Sequence, residues 1–272
     1  MKKMEELKNN EKYKKLIAYL KNLESAAVAF SGGVDSTFLL AAAREALSDK
    51  VVAFTVRSPY IPDWEIKEAK QLAKKLSAKH MVFETEISDS ILNNPENRCY
   101  LCKKLIFTRL VREAKKLNIK YVIEGTNSDD TGDFRPGIKA LRELDIKSPL
   151  LENKISKEDI RYFSRLLNLE TWDKPAYACL LTRIPYNTRI REEELRRIEH
   201  AEVFLMTLGF KGVRVRSHNN LARIELNKEQ IADIFQNSLR DKIVNKFKDI
   251  GYTYITIDIE GYRTGSMNLK KG

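Results

Sequence analysis

Three groups of residues in this chain are spaced for chemistry. The first is Ser31-Gly-Gly-Val-Asp35-Ser36, which packs two adjacent glycines, two hydroxyls and a carboxylate into six positions. Gly32 and Gly33 let the backbone approach an anion without Cβ clashes, while Ser31, Ser36 and the loop amides can point inward and a following helix start adds its dipole. That combination describes a nucleotide phosphate site. No Gly-Lys-Ser/Thr follows the turn, which argues against transfer of a γ-phosphoryl group. The second group is sulfur: Cys99 and Cys102 form a C-x-x-C pair, and Cys179 lies far downstream in Pro175-Ala-Tyr-Ala-Cys-Leu-Leu-Thr-Arg183. Three thiols are not a disulfide framework. If they converge they suit a 4Fe–4S cluster with one open iron, whereas structural zinc takes four protein ligands and His80, His200 and His218 all lie away from the cysteines in sequence. A redox dithiol, or two inert buried thiols, has the same C-x-x-C spacing. The third group is Arg214 and Arg216, two apart in an alternating run, so both guanidiniums can address one phosphate while Val213 and Val215 face the other way. Glu225, on the next alternating run, could pair with them or hold a metal; a solvated strand face is the alternative.

The elements that must position these residues follow from periodicity. An apolar run at 26–30 precedes the glycine turn and a helical stretch at 37–46 follows it. Short apolar runs at 51–56, 81–83 and 121–124 then alternate with amphipathic stretches at 63–76 and 99–117. Such alternation predicts an α/β fold, a parallel sheet with helices on both faces. Ligands of these sheets bind beyond the carboxyl ends of the strands, where the Ser31 turn, Arg57 and the Gly125-Thr-Asn-Ser-Asp129-Asp130 loop all fall. An amphipathic stretch over 4–23 precedes the first strand. The second half reads as a smaller α+β domain. It has a helix over 191–208 ended by Gly209, alternating strands at 212–217 and 221–226, helices from about 228 and 239, and a last strand at 252–258. The expected division is 1–176 and 177–272.

Composition sets the outer limits. The 272 residues, 43% hydrophobic, are enough for a sizeable core, and no apolar run approaches the length of a membrane span. The start Met1-Lys-Lys-Met-Glu-Glu is charged, with no signal-type apolar stretch behind it, so the expectation is a cytoplasmic protein. A net charge of +11 fits polyanionic partners such as nucleotides, yet much of the excess is lysine dispersed along helix faces. Charge alone does not point to nucleic acid.

The S-G-G-x-D-S string resembles the PP-loop of ATP pyrophosphatases, which cleave ATP between the α and β phosphates to make an adenylate. Further blocks sharpen the likeness: Glu124-Gly-Thr-Asn-Ser-Asp-Asp130 with Gly132-Asp-Phe-Arg-Pro-Gly137, Trp172-Asp-Lys-Pro-Ala176 with Ala178-Cys179, Arg183-Ile-Pro-Tyr186, and Val213-Arg-Val-Arg-Ser-His218 through Ala222-Arg-Ile-Glu225. In this order, over residues 25–265, the chain resembles the LarE family, ATP-dependent sulfur transferases of nickel-pincer nucleotide biosynthesis. The resemblance implies adenylation of a carboxylate of pyridinium-3,5-biscarboxylic acid mononucleotide, displacement of AMP by a sulfur nucleophile, and repetition at the second carboxylate. It implies ATP and Mg²⁺ at Ser31, Gly32, Gly33, Asp35, Ser36, Arg57, Gly125 and Asp129, with Arg183, Arg214, Arg216 and Glu225 around the substrate. It implies sulfur supply at the Cys179 position, either from that cysteine itself or, because Cys99 and Cys102 are present, from a cluster on three cysteines loaded by sulfide or another donor. It also implies a homo-oligomer, commonly a hexamer.

Two other readings remain open on sequence. A tRNA thiolase would use the same chemistry, but RNA-binding appendages, and the Lys common where Val34 stands, are not visible. An amidating synthetase or nucleotide-binding regulator with structural cysteines is the other, and no glutaminase segment accompanies it.

Overall fold

In a computed structural model that describes residues 2–132, 136–263 and 267, the chain divides into two compact units. The first comprises Met1–Ser58, Asp63–Thr85 and Asn97–Lys174; the second comprises Pro59–Pro62, Glu86–Glu96 and Pro175–Gly272. Residues 133–135 of the Gly132–Gly137 block lie outside the described residues.

The first unit opens with helices α1 (Lys2–Asn9) and α2 (Glu11–Asn22). The amphipathic stretch is broken at Asn10, whose side chain accepts from the amides of Lys12 and Tyr13 and so caps a new helix. Then come β1 (Ala26–Ala29), α3 (Val34–Leu47), β2 (Val51–Arg57), α4 (Asp63–Lys75), β3 (Lys79–Glu84), α5 (Arg98–Lys116), β4 (Tyr121–Ile123), α6 (Pro136–Glu143), α7 (Pro149–Glu152) and α8 (Lys157–Leu166). The strands form one parallel sheet in the order β3-β2-β1-β4, with Ala26 beside both Val51 and Tyr121. Alternate residues of each central strand enter opposite cores. Ala26, Val28, Val51 and Ala53 pack with Leu16, Leu20, Phe38, Leu39 and Phe163, while Ala27, Val52, Phe54 and Val56 pack with Phe107, Leu110 and Leu141. This is the expected α/β architecture, and it sends the ends of β1, β2 and β4 to the same edge.

One polar contact inside this sheet makes its stability sensitive to pH. His80 on β3 places Nε2 2.7 Å from Thr55 Oγ1, and that hydroxyl donates to the Phe30 carbonyl at 2.6 Å, just before the glycine turn. Burial, and secondarily the charge of Lys70, push His80 below its ordinary pKa. Below about pH 6.5 the unfolded chain therefore takes up a proton that the folded chain refuses, so this site loses stability as pH falls. His80→Gln is expected to flatten the dependence of Tm on pH between about 7 and 5; an unchanged slope would show that His80 is not the titrating group.

The second unit contains α9 (Glu192–Thr207), β5 (Arg214–His218), β6 (Leu221–Glu225), α10 (Asn237–Asp249) and β7 (Tyr254–Ile257). Gly209 follows α9 with φ +94° and donates its amide to Met206 O, the left-handed exit that glycine adopts at no steric cost. Strands β5 and β6 are antiparallel and β6 and β7 parallel, in the order β5-β6-β7. Val213, Val215, Ala222 and Ile224 face a core made with Leu205 of α9 and Phe247 of α10. Arg214 and Arg216 face away from that core, as alternation requires. They are nevertheless buried, at 2% and 4% exposure, so the solvated strand face is not what forms.

Candidate functional site

The glycine turn closes on itself in the first unit. Ser31 and Ser36 Oγ atoms lie 3.1 Å apart, and the amides of Ser31 and Gly33 donate to Ser36 Oγ and Ser31 Oγ, each at 3.3 Å. Gly32 sits at φ +72°, where a side chain is strained, and a Cβ on it would lie 3.2 Å from the backbone of Ala69. Helix α3 starts at Val34 with no side-chain cap, leaving its first amides for the turn or for an anion. Gly125, beyond β4, comes equally close: a Cβ there would meet Asp35 Cβ at 3.1 Å and the Ser36 amide at 3.2 Å.

Asp35 does not stand alone in this turn. The Lys157 ammonium holds both of its oxygens at 2.7 Å, and Asn127 Nδ2 reaches Oδ1 at 3.5 Å. Lys157 is the first residue of α8, and its amide donates to Asp129 at 2.9 Å. Asp129 thus serves a helix N-terminus, where a carboxylate is favoured by the dipole. Behind it, buried Glu124 accepts from the Thr126 amide and hydroxyl and from Ser148 Oγ, fixing the loop after β4. Lys174 donates to the Gly32 carbonyl at 3.0 Å and to Glu68 at 2.7 Å, tying the turn to α4. Arg57, at the end of β2, pairs with Asp63 and Glu84 at the surface.

The cysteines are all unbridged. Cys99 is exposed and Cys102 half-buried; standing three apart in the first turns of α5, they share one helix face. Cys179 belongs to the second unit and is half-buried. Within neither unit do the described residues gather three His, Cys, Asp or Glu side chains as metal ligands.

In the second unit, Arg183 is 1% exposed and makes a two-pronged pair with Glu202 of α9 at 2.9 and 3.0 Å. Its other terminal nitrogen donates to the carbonyls of Ala178 at 2.7 Å and Cys179 at 3.2 Å. Arg214 donates to the carbonyls of Val213 and Ala176 and lies between the rings of Tyr177 and Tyr262, at 4.9 and 5.0 Å. Burial, then the neighbouring Arg183 charge, pulls Arg214 below its ordinary pKa. Arg216 donates to Thr182 O at 2.8 Å and pairs with Glu225 at 2.6 Å, and Arg223 continues the chain of charges to Asp258 at 2.6 Å. Glu225, fully buried, is therefore seen as an ion-pair partner. All three arginines singled out from the sequence converge on the backbone around Cys179.

Three residues at these sites carry no motif. Lys157 follows the Ser156 cap of α8, and the capping pair Ser156 and Asp159 was the only local signal of a helix start there. Glu202 sits on the buried stripe of α9 with Leu195, Ile198 and Leu205, an acid at an apolar position. Asn94 lies in a loop and left no trace in periodicity.

A parallel sheet with S-G-G-V-D-S at its β1–α3 turn defines a PP-loop protein of the ATP-using α/β class. Consistent with that class, the family described as asparagine synthase matches residues 20–131. Nearly the whole chain is similar to three curated proteins. An uncharacterized protein of Synechocystis sp. is 42% identical over 94% of this chain and 97% of its own length. The pyridinium-3,5-bisthiocarboxylic acid mononucleotide synthase of Lactiplantibacillus plantarum is 36% identical over 93% and 92%. An uncharacterized protein of Methanocaldococcus jannaschii is 37% identical over 97% and 98%. The chain belongs to the family of the pyridinium-3,5-bisthiocarboxylic acid mononucleotide synthase, the LarE family. Among the described residues no helix is long and apolar enough to cross a membrane.

Proposed function

We propose that this protein uses ATP to insert sulfur into pyridinium-3,5-biscarboxylic acid mononucleotide, giving the bisthiocarboxylate. The observation that carries the reading is the Ser31–Ser36 turn, with Lys157 on Asp35, in a chain similar along its length to the L. plantarum synthase. A substrate carboxylate oxygen attacks the α-phosphorus of ATP, the bond to the bridging oxygen breaks and pyrophosphate leaves into the turn. A sulfide nucleophile then attacks the acyl carbon, and AMP leaves with the former carboxylate oxygen. Activation is required because a carboxylate is a poor electrophile and its oxygen a poor leaving group. The turn amides, Ser31 and Ser36 receive the departing phosphates; Asp35 would hold Mg²⁺, which when bound would neutralise the pyrophosphate, and Lys157 adds positive charge beside it.

In this reading residues 1–176 handle ATP and 177–272 the substrate. Arg183, Arg214 and Arg216 supply the positive field for its phosphate and carboxylates, and Glu225 keeps Arg216 in place. Cys99 and Cys102, unbridged on one helix face, suit two of three thiolate ligands, with Cys179 the third. A 4Fe–4S cluster on them would supply an open iron able to bind exogenous sulfide. A cytoplasmic homohexamer belongs to the same proposal. The test is acceptor-dependent AMP formation: with ATP, Mg²⁺ and sulfide, AMP and pyrophosphate accumulate on adding the biscarboxylate nucleotide. Turnover driven instead by tRNA, or by ammonia in place of sulfide, would overturn the assignment.

A further inference from the structure

The segment that carries Cys179 is held by its carbonyls. Ala178 and Cys179 carbonyls accept from Arg183, Ala176 from Arg214 and Thr182 from Arg216. The Cys179 carbonyl also accepts from the Thr182 amide at 3.1 Å and the Thr182 hydroxyl at 3.0 Å. Further along, Leu181, Ile184 and Pro185 carbonyls all accept from one group, Asn94 Nδ2, at 3.4, 3.0 and 2.9 Å. The Asn94 carbonyl in turn accepts the Asn187 amide at 3.1 Å, and Leu92 O accepts the Ile190 amide at 2.8 Å. Asn94 is fully buried, at φ +49°. Glu202 is the other anchor: its Oε1 accepts from Arg183 Nε and from the Val215 amide, both at 2.9 Å, and its Oε2 accepts from Arg183 Nη2.

We propose that Asn94 and Glu202 are the positioning residues of Cys179. Glu202 holds the Arg183 guanidinium in the orientation that grips the carbonyls of 178 and 179, and through the Val215 amide it fixes that grip to the strand bearing Arg214 and Arg216. Asn94 gathers the three carbonyls just beyond. Between them the cysteine is carried on a preformed strap, so little freedom has to be lost when its thiol is used. A buried carboxylate shared by a guanidinium and a backbone amide is costly to open, because separation leaves unpaired charge out of water. Asn94 is also well chosen for its backbone, since asparagine tolerates the left-handed region. The inference rests on the proposed reaction only in taking Cys179 as the sulfur site, and its test needs no substrate.

The test is the rate at which iodoacetamide alkylates each cysteine of the reduced, metal-free full-length chain, read by peptide mass spectrometry, with Cys99 and Cys102 as internal references. Asn94→Gly keeps the backbone conformation and removes the amide; Glu202→Gln keeps the shape and removes the charge. In both, the rate at Cys179 relative to Cys99 is expected to rise about tenfold as the strap opens locally. An unchanged ratio in the folded variants overturns the proposal, as does a parallel rise at all three cysteines, which would mean general loosening. If Glu202→Gln does not fold, Asn94→Gly decides the question alone. Failure of the sulfur-insertion assay together with a raised ratio would sink the reaction and leave the strap standing.

Discussion

Lys157→Met is expected to cut ATP-dependent AMP formation by about 100-fold, the usual scale for removing one preorganised charge beside a developing anion. The reason is geometric. The ammonium lies 2.7 Å from both oxygens of Asp35 at the mouth of the glycine turn, on the first residue of α8, where the helix dipole adds to its charge. Without nucleotide the pair neutralises itself; in the proposed reaction the Asp35 carboxylate would be the residue to hold Mg²⁺ and the Lys157 ammonium the charge that meets the phosphates. Lys157→Arg should recover part of the rate, and Asp35→Asn should fall at least as far as Lys157→Met. Both side chains are about 30% exposed, so either loss should cost about 1 kcal/mol of stability or less, too little to explain the rate by unfolding. Steady-state rates alongside thermal melts make the check. Full activity in a folded Lys157→Met protein would remove the ion pair from the reaction.

The second large effect is expected at sulfur. Cys179→Ser should reduce thiocarboxylate formation to background while pyrophosphate release on adding the biscarboxylate nucleotide persists, since the proposed reaction has adenylation use the turn and not the thiol. Cys99→Ser and Cys102→Ser separate the two sources of sulfur. If all three cysteines serve one cluster, each of these variants also loses the thiocarboxylate product and the anaerobically reconstituted iron. If Cys179 gives up its own sulfur, Cys99→Ser and Cys102→Ser retain one sulfur per chain, and the polypeptide becomes lighter by that sulfur and two hydrogens as Cys179 becomes dehydroalanine.

Much of the architecture was legible because its signals are local and periodic. The apolar runs at 26–30 and 51–56 read as buried parallel strands, and the glycine pair after the first marked the turn, because at Gly32 close packing against Ala69 and a positive φ leave little choice of residue. The break at Asn10 was less visible, because it depends on one side-chain cap inside a continuous amphipathic pattern. The partners of the site residues were hidden for a different reason. Lys157 meets Asp35 across 122 positions, and Glu202 meets Arg183 from another element; neither sequence window carries a mark of the other. Alternation correctly put Arg214 and Arg216 on one strand face, yet it could not tell that Ala176 and Thr182 would cover them. Spacing gives direction, and only tertiary packing gives burial.

The most direct test follows the oxygen that sulfur replaces. With the biscarboxylate nucleotide enriched in heavy oxygen at its carboxyl groups, and with ATP, Mg²⁺ and sulfide supplied, each sulfur inserted should transfer one heavy oxygen to the phosphate of AMP and none to pyrophosphate. Heavy oxygen found in pyrophosphate or inorganic phosphate, or AMP formed without label while the thiocarboxylate appears, would contradict carboxylate adenylation and the account built on it.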